Sequence, residues 1–261
     1  TQGVSSAASD VYKRQALIQA RMSSKRLPNK VLLDLDGNSV ISQIYNRLLS
    51  CRTLNQIIVI TSLNSEDDAI ELECNINNII CFRGSLEDVL DRYYQAAKNY
   101  NVDIVVRITA DCPVIDPIIV DAVVTGHISG DYDYYSLSGQ FPDGLDVEVM
   151  KFSALENAWH NAKLKSEREH VCPYISKNSE KFKIGGLELF RNLDHYRWTL
   201  DQSEDYELLK IIYARLNKKK NFNTIDILDL FKNEPNLINI NNEIIRNEGY
   251  QKSLSEDKLS E

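Results

Sequence analysis

Short β-branched runs alternate with amphipathic segments through the first half of this chain. Residues 56–61 (Q-I-I-V-I-T) and 103–108 (D-I-V-V-R-I) are two such runs, and their nearly continuous apolar character is typical of strands covered on both faces. Between such runs, residues 40–51 carry apolar side chains at helical spacing. Because strands that alternate with helices usually pair in parallel, the pattern predicts an α/β fold with a layered, mostly parallel central sheet.

The second half alternates less regularly, and no internal repeat or linker divides the chain. We therefore predict one domain over residues 16–250, after an extraneous or disordered leader at 1–15 and before a frayed polar tail at 251–261. Ser65, Ser85 and Ser166, each followed three residues later by an acid, are predicted helix N-caps. The predicted strands cover residues 16–20, 56–61, 79–82, 103–108, 132–137, 145–150, 182–189 and 197–200. The predicted helices cover residues 40–51, 65–74, 85–99, 116–124, 152–162, 166–177, 203–216 and 221–233.

A cationic loop follows the first predicted strand. Arg21, Lys25, Arg26 and Lys30 lie within ten residues, and no acid occurs between positions 11 and 33, although the whole chain has a formal net charge of -8. This concentration of charge at a strand end favours a site for a small, highly charged anion such as a polyphosphate. It is less typical of a nucleic-acid surface, whose basic residues usually spread over a face. A solvated basic turn is the alternative interpretation.

Two aspartates follow later predicted strands, Asp111 in R-I-T-A-D-C-P and Asp201 in R-W-T-L-D-Q. Carboxylate oxygens are ligands that hard cations prefer, so the pair predicts a Mg²⁺ site that bridges a triphosphate. The alternative for Asp111 is a helix cap or turn before Pro113, and the alternative for Asp201 is capping of the helix that opens at Ser203. Asp205 is a weaker candidate for the same site.

A third group of polar residues lies in the second half. Asp146 and Glu148 are two apart on a predicted strand and would share one face, and Arg168 and His170 lie near a predicted helix start. Together they suit recognition of hydroxyls and a carboxylate on a sugar, whereas exposed polar faces joined by a salt bridge are the alternative. The D-Y-D at 131–133 resembles a metal motif of glycosyltransferases, but it lies at a strand start, where a ligand for this site would be poorly placed. The remaining histidines, which show no metal-ligand spacing and receive no role, are His127, His160 and His195.

The five cysteines are scattered and form no C-x-x-C pair, which is typical of small buried side chains in a reducing cytosol. No apolar run approaches the roughly 20 residues that span a bilayer. We therefore expect a cytoplasmic protein with no membrane partner, and the net negative charge disfavours a nucleic-acid partner.

Several motifs together resemble the cytidylyltransferases that activate sugar acids, namely the acylneuraminate and 3-deoxy-manno-octulosonate enzymes and a spore-coat polysaccharide biosynthesis branch. The similarity extends from residue 16 to about residue 253, nearly the whole chain. The segments that carry it are I-Q-A-R-M-S-S-K-R-L-P-N-K-V-L, F-R-G-S-L-E-D-V-L-D-R-Y-Y-Q-A-A, V-R-I-T-A-D-C-P-V-I-D-P, F-P-D-G-L-D-V-E-V, S-E-R-E-H-V-C-P-Y-I and R-W-T-L-D-Q-S-E-D-Y-E-L.

The resemblance implies a Rossmann-like three-layer nucleotidyltransferase fold, with a smaller dimer-forming excursion within residues 130–190. It also implies transfer of CMP from CTP to a sugar acid with release of pyrophosphate, Mg²⁺ as cofactor, and a homodimer. The catalytic residues that it implies are Arg21, Lys30 and Asp111, and the metal ligands are Asp111 and Asp201. The implied nucleotide-binding residues are Ala20, Arg21, Ser23, Ser24, Lys25, Arg26, Lys30, Gly84, Ser85 and Arg107. The predicted substrate-binding residues are the polar group described above, Asp146, Glu148, Arg168 and His170.

Three alternative functions remain open at this point. A nucleotidyltransferase that acts on another base, or on a sugar or alditol phosphate, would use the same phosphate loop. A glycosyltransferase that uses the D-Y-D would bind a nucleotide-sugar without pyrophosphate chemistry. A non-catalytic nucleotide-binding or scaffold module is the third alternative, and the complete set of cations and strand-end carboxylates argues against it.

Overall fold

A computed structural model of the chain describes residues 12–219, 221–246 and 248–257. Within these ranges the strands are β1 (Arg14–Gln19), β2 (Asp34–Leu35), β3 (Asn38–Ser39), β4 (Gln56–Ser62), β5 (Ile80–Gly84), β6 (Ile104–Thr109), β7 (Tyr134–Ser138), β8 (Glu148–Lys151) and β9 (Ile184–Glu188). Seven of them form one sheet in the order β5-β4-β1-β6-β8-β7-β9, and β2 pairs with β3 in a separate hairpin. In the seven-stranded sheet β8 runs antiparallel to both of its neighbours, whereas the other pairs are parallel. The predicted mostly parallel α/β sheet is confirmed.

Helices cover both faces of this sheet. Those of the described residues are α1 (Val40–Leu48), α2 (Asp68–Ile76), α3 (Val89–Asn99), α4 (Pro117–Ser129), α5 (Phe152–Asn161), α6 (Lys165–His170), α7 (Pro173–Ser176), α8 (Ser203–Leu216), α9 (Thr224–Asn233) and α10 (Glu248–Ser255). Successive side chains of a strand point to opposite faces. Accordingly, Ala16 and Ile18 of β1 belong to one buried apolar cluster and Leu17 belongs to the other. The sheet is therefore the middle of three layers.

The carboxyl ends of the parallel strands meet at one edge, with β1 in the centre. Ile18 of β1 aligns with Val59 of β4 and with Ile108 of β6. Just beyond the strands, the Ala20 N–H donates to the Ile60 carbonyl and the Ala110 N–H donates to the Gln19 carbonyl, both at 3.0 Å. The loops that follow β1 and β6 consequently leave the sheet side by side.

Both ends of the described chain differ from the prediction. β1 begins at Arg14 rather than at residue 16, because Gln15 and its neighbours already pair with β4 and β6. The predicted leader therefore includes two strand residues, and its residues 1–11 lie outside the described ranges. The predicted frayed tail is wrong for residues 251–255, which belong to α10. The Ser253 hydroxyl fixes this helix by donating to Glu169 at 2.9 Å and by contacting His170 at 3.1 Å.

Two predicted elements in the second half are also wrong. Residues 197–200 form no strand: Arg197 makes one isolated bridge with Asp143, the Trp198 N–H donates to the Asp143 carbonyl, and the Leu200 N–H donates to the Asp111 carbonyl. The predicted helix 166–177 divides into α6 and α7, because Val171 adopts a left-handed φ of 70° that an α-helix does not accommodate.

Neighbouring polar residues cap the helices in place of the three predicted serines. The Asn64 carboxamide accepts from the Glu66 N–H at 3.1 Å, and the Asp88 carboxylate accepts from the Asp91 N–H at 2.9 Å. The Glu167 carboxylate accepts from the Leu164 N–H at 3.1 Å. The N-cap is therefore Asn64, one residue before Ser65, for the first of these segments, Asp88, three residues after Ser85, for α3, and Leu164, two residues before Ser166, for α6.

Across the described ranges, no helix has both the length and the apolar character needed to cross a membrane. The segment predicted to mediate dimerisation, residues 130–190, contains β7, β8, β9 and helices α5 to α7. Pairing of two copies through this segment stays a prediction.

Candidate active site

Lys30 occupies the centre of a charged cluster at the carboxyl edge of β1 and β6. It begins a short 3₁₀ turn, and its side chain is 14% exposed. Its Nζ lies 2.8 Å from Asp201 Oδ1, 2.8 Å from the Leu200 carbonyl oxygen and 3.6 Å from Asp111 Oδ2. Burial alone would lower the pKa of Lys30, but the charges of Asp111 and Asp201 outweigh burial and raise that pKa. The ammonium is therefore charged and bound by both carboxylates.

Asp111 lies two residues beyond β6. Its carboxylate accepts a short hydrogen bond from the Thr109 hydroxyl, and its backbone carbonyl accepts from the Leu200 N–H at 2.8 Å and from the Thr199 hydroxyl at 3.0 Å. Burial opposes ionisation, yet the charge of Lys30 and the hydrogen bonds hold the pKa of Asp111 below its ordinary value. Asp111 is therefore an ionised, fixed carboxylate at neutral pH.

Asp201 is held by cations on two sides and by α8. Arg26 approaches its carboxylate at 3.2 Å and Arg197 at 3.5 Å. The Asp201 N–H donates to Asp205 at 2.9 Å, and Asp205, which is fully buried, also pairs with Arg197 at 2.8 Å. Asp205 therefore caps α8 and supports Asp201.

Asp111 and Asp201 suit a hard divalent cation in their chemistry, because they supply two ionisable carboxylates that converge on one ammonium. Among the described residues, no group of three His, Cys, Asp or Glu side chains is arranged to hold a metal ion. A divalent cation at this place would thus be coordinated by the carboxylates of Asp111 and Asp201 and by oxygen atoms from other sources.

The rest of the cationic loop lies around this centre. Arg21 is 42% exposed and approaches Glu169 at 4.0 Å, and Arg26 also pairs with Glu248 of α10 at 2.8 Å. Ser23 and Lys25 are exposed. The Ser24 hydroxyl accepts from the Leu27 N–H at 3.4 Å, while Ala20 anchors the loop to β4 as described above. The predicted phosphate-binding cations Arg26 and Lys30 are thus brought together with Asp111 and Asp201, whereas Arg21 approaches Glu169 of α6.

Two residues that sequence reasoning missed hold this arrangement in place. Asp67, buried before α2, accepts from the Met22 N–H of the cationic loop at 2.7 Å and from the Ser62 N–H at 3.1 Å. Arg197 joins Asp143 at 2.9 Å to Asp205 and to the segment that carries Asp201. The acidic residues close to Arg197 in the sequence could have indicated that it forms an ion pair. Asp67 has no such signal, because acids are common at the start of a helix.

Several of the predicted sugar-side residues make their hydrogen bonds and ion pairs with other parts of the protein. Glu148 begins β8 opposite Arg107 of β6, and the two form an ion pair that also receives the Tyr134 hydroxyl at 2.6 Å. Asp146 lies in the loop before β8 and so does not share a strand face with Glu148. Burial raises the pKa of Asp146, and the negative charges of Glu148 and Asp111 act in the same direction. Arg107 and Glu148, predicted to bind different substrates, thus neutralise each other.

Arg168 and His170 make contacts within the protein. Arg168 pairs with Asp88 and also donates to the Trp159 carbonyl at 2.7 Å. His170 contacts the Ser253 hydroxyl of α10 at 3.1 Å. These contacts join α6 to the start of α3 and to α10. For Arg168 the structure therefore agrees with the alternative interpretation, a salt bridge.

The remaining predicted positions lie at other places on the sheet. Gly84 ends β5, and the Ser85 hydroxyl accepts from the Asp88 N–H at 3.0 Å. Asp131 and Asp133 of the D-Y-D pair with Lys151 at 2.8 Å and 3.2 Å before β7. Because β7 is parallel to β6, this D-Y-D lies at the edge of the sheet opposite to Asp111.

In a comparison with protein families, the cytidylyltransferase family matches residues 15–234 of this chain. The chain is 40% identical over 233 residues to an uncharacterized protein, MJ1063, of Methanocaldococcus jannaschii, a match that covers 87% of this chain and 94% of the relative. It is 30% identical over 228 residues to the spore coat polysaccharide biosynthesis protein SpsF of Bacillus subtilis, with 84% and 94% covered. A solved cytidylyltransferase structure from Leptospira borgpetersenii superimposes with a TM-score of 0.83 at 36% identity, covering 87% of this chain and 97% of that one.

Proposed function

The chain belongs to the cytidylyltransferase family, and on that premise we propose that it transfers the CMP group of CTP to a sugar acid, with release of pyrophosphate. The proposed setting is cytoplasmic synthesis of an activated sugar for a cell-surface polysaccharide, as the name of the Bacillus subtilis relative suggests. The observation that carries the proposal is the contact of the Lys30 ammonium with both Asp111 and Asp201, beside Arg26.

In the proposed reaction the loop cations bind the triphosphate, and a sugar hydroxyl attacks the α-phosphorus in line with the leaving pyrophosphate. A bond forms between the sugar oxygen and the α-phosphorus, the bond from that phosphorus to the β-phosphate oxygen breaks, and the hydroxyl proton passes to solvent. Lys30 and Arg26 are already held beside Asp201 before the reaction begins, and with Arg21 they would stabilise the charge that develops on the pyrophosphate.

Asp111 and Asp201 would hold Mg²⁺ together with phosphate oxygens. Mg²⁺ usually binds one or two carboxylates and completes its coordination with waters and substrate phosphates, so two carboxylates are sufficient. When bound, the ion would neutralise phosphate charge and lower the pKa of the attacking hydroxyl. The support is the donor chemistry: two partly exposed carboxylates share one cation, and the pKa of Asp111 is held low.

The test measures pyrophosphate release by the purified protein with each of the four nucleoside triphosphates and a panel of sugar acids, sugar phosphates and alditol phosphates. We expect release with CTP and a sugar acid. The substitution Asp111→Asn should lower turnover about 10²–10³-fold, because loss of one preorganised charge costs about 3–4 kcal/mol in the transition state.

The matched control is Glu204→Gln, which alters an exposed acid that contacts Ser203 at the start of α8. This variant should keep wild-type turnover. Pyrophosphate release that survives Asp111→Asn would contradict the role of Asp111, and release that depends on another triphosphate or on a sugar phosphate would contradict the proposed substrates.

A further inference from the structure

The C-terminal segment, which comprises the described residues from 235 onward, lies along the candidate active site. It follows the part of the chain that the cytidylyltransferase family matches. Near its beginning, Asn241 is buried and donates to the Asp205 carboxylate at 2.8 Å, at the start of α8. Near its end, Ser253 of α10 makes hydrogen bonds with two side chains of α6. The segment therefore joins α8 to α6.

These two helices belong to opposite faces of the central sheet. The apolar side chains of α8, such as Leu208 and Leu209, pack into the cluster on one face. Val171, which directly follows α6, belongs to the cluster on the other face. A segment that joins the two helices must cross an edge of the sheet, and the contacts of its residues with the cationic loop show that it crosses the edge that carries this loop.

Acids of α10 and α6 contact two cations of that loop. Glu248, the first residue of α10, lies 2.8 Å from Arg26, and Glu169 of α6 lies 4.0 Å from Arg21. Glu169 also accepts from the Ser253 hydroxyl at 2.9 Å, so the two acids belong to one packed unit of α6 and α10. On the proposed function both cations bind phosphate oxygens. A carboxylate that contacts the same guanidinium therefore competes with the triphosphate.

We propose that α10 is an autoinhibitory cover of the triphosphate site, in which Glu248 holds Arg26 until a triphosphate displaces it. The inference rests on the proposed function, which assigns Arg26 to the triphosphate, and deepens it by giving the same site a competitor within the chain. Arg26 is 38% exposed and Glu248 is 57% exposed, and ion pairs between exposed side chains contribute little to stability. A polyphosphate carries several charges and offers paired oxygens to the guanidinium, so it displaces a single carboxylate.

The contacts of α10 allow it to leave the loop. Of its eight residues, all of which the structure describes, Ser253 is the only buried one. Beyond the helix, Glu256 pairs with Lys165 of α6 at 2.6 Å, another exposed contact. A helix with so little buried apolar surface separates from the protein at small cost. Asp201, the other acid beside Arg26, is instead fixed by the buried start of α8 and stays in place.

The first experiment measures the affinity of the full chain for inorganic tripolyphosphate and for CTP by calorimetry. Glu248→Gln should tighten the binding of both about 2–5-fold, because the competing carboxylate is lost and the pair that it forms is weak. Glu243→Gln is the matched control, since it removes an exposed acid from the same segment, and it should change neither affinity. Equal affinities in the wild type and Glu248→Gln, or equal tightening in both variants, would overturn the inference.

A double-mutant cycle tests whether the effect passes through Arg26. Arg26→Gln should weaken tripolyphosphate binding, because a phosphate-binding cation is lost. Adding Glu248→Gln to Arg26→Gln should then bring no further change in affinity, since the carboxylate no longer has a guanidinium to occupy. The same tightening by Glu248→Gln with and without Arg26 would show that Glu248 acts through its charge alone, and would overturn competition for Arg26.

Amide hydrogen exchange tests the movement of the cover. With tripolyphosphate bound, the amides of α10 should exchange faster than without it, whereas those of α9 should not change. Unchanged or slower exchange in α10 would overturn the displacement. A protein that binds tripolyphosphate as expected but releases no pyrophosphate from CTP would contradict the proposed function and leave the cover standing. A protein that binds neither tripolyphosphate nor CTP would overturn both.

Discussion

At the residue scale, Lys30 joins parts of the site that are far apart in the chain. One ammonium contacts Asp201, which is 171 positions away, and also Asp111. On the proposed function, a triphosphate competes with these carboxylates for the ammonium. The carboxylates then need another cation, so nucleotide binding and metal binding should favour each other.

His127 of α4 should limit stability in acid. Burial lowers the pKa of His127 to about 4 from an ordinary value of 6.5, and the charge of Lys151 acts in the same direction. The unfolded chain therefore binds a proton at a pH where the folded state does not, and stability falls as the pH drops from 6.5 toward 4. Between pH 7.5 and pH 5, the wild type should lose about 2 kcal/mol more unfolding free energy than His127→Leu, as measured by urea unfolding.

The control for this measurement is His160→Leu, which removes an exposed histidine of α5 and should follow the wild type across the same range. Equal losses of unfolding free energy by the wild type and His127→Leu would show that His127 is protonated in the folded state, contrary to the expectation.

A site residue can be predicted from the sequence when it directly follows a strand, because the strand then determines where the residue lies. Arg21 and Asp111 come directly after strands β1 and β6, so the topology of a parallel sheet is sufficient to bring them to one edge. Asp67 and Arg197 act through contacts with distant residues, such as the Met22 N–H. No spacing in the sequence encodes such contacts, and this is why these two residues were missed.

At the element scale, the segment 197–201 depends on a close approach by Gly144. This glycine has a φ of 101°, and an added Cβ would lie 2.6 Å from Thr199 N and 2.6 Å from the Trp198 carbonyl carbon. Because both of these are backbone atoms, they cannot move aside cheaply. Gly144→Ala should lower the unfolding free energy by about 3–5 kcal/mol, from backbone strain plus steric overlap, as measured by chemical denaturation.

Gly37→Ala separates these two causes. Gly37 has a φ of 81°, but an added Cβ would meet no atom within 4 Å. This variant should therefore lose only about 1–2 kcal/mol from the left-handed backbone. Similar losses in the two variants would mean that the approach of Gly144 to the segment 197–201 does not constrain the fold.

Elements were predictable where local pattern and tertiary contacts agree. The predicted bounds of α8, residues 203–216, coincide with the structure because apolar periodicity and the acidic first turn both favour that helix. Residues 197–200 have a strand-like composition, yet their hydrogen bonds go to the Asp111 carbonyl and to Asp143. α10 is polar and short, and contacts with α6 rather than its own sequence stabilise it.

At the scale of the whole molecule, an acidic chain of net charge -8 surrounds a local cluster of cations. The site joins the loop after β1, the loop after β6 and the segment before α8, so a nucleotide that bridges them would stabilise the whole fold rather than one element. Binding to the folded state alone raises stability by mass action.

CTP and Mg²⁺ together should therefore raise the unfolding temperature more than the sum of their separate effects. A nucleotide at about 100 times its dissociation constant adds about 2.7 kcal/mol, which corresponds to roughly 5–10 °C for a chain of this size. Differential scanning calorimetry with CTP alone, Mg²⁺ alone and both measures this. Asp111→Asn should keep any shift that CTP produces alone and lose the additional shift, because the metal depends on the carboxylate while the phosphates also contact the cations. A chelator that leaves the wild-type shift with CTP and Mg²⁺ unchanged would contradict a metal between the triphosphate and the two carboxylates.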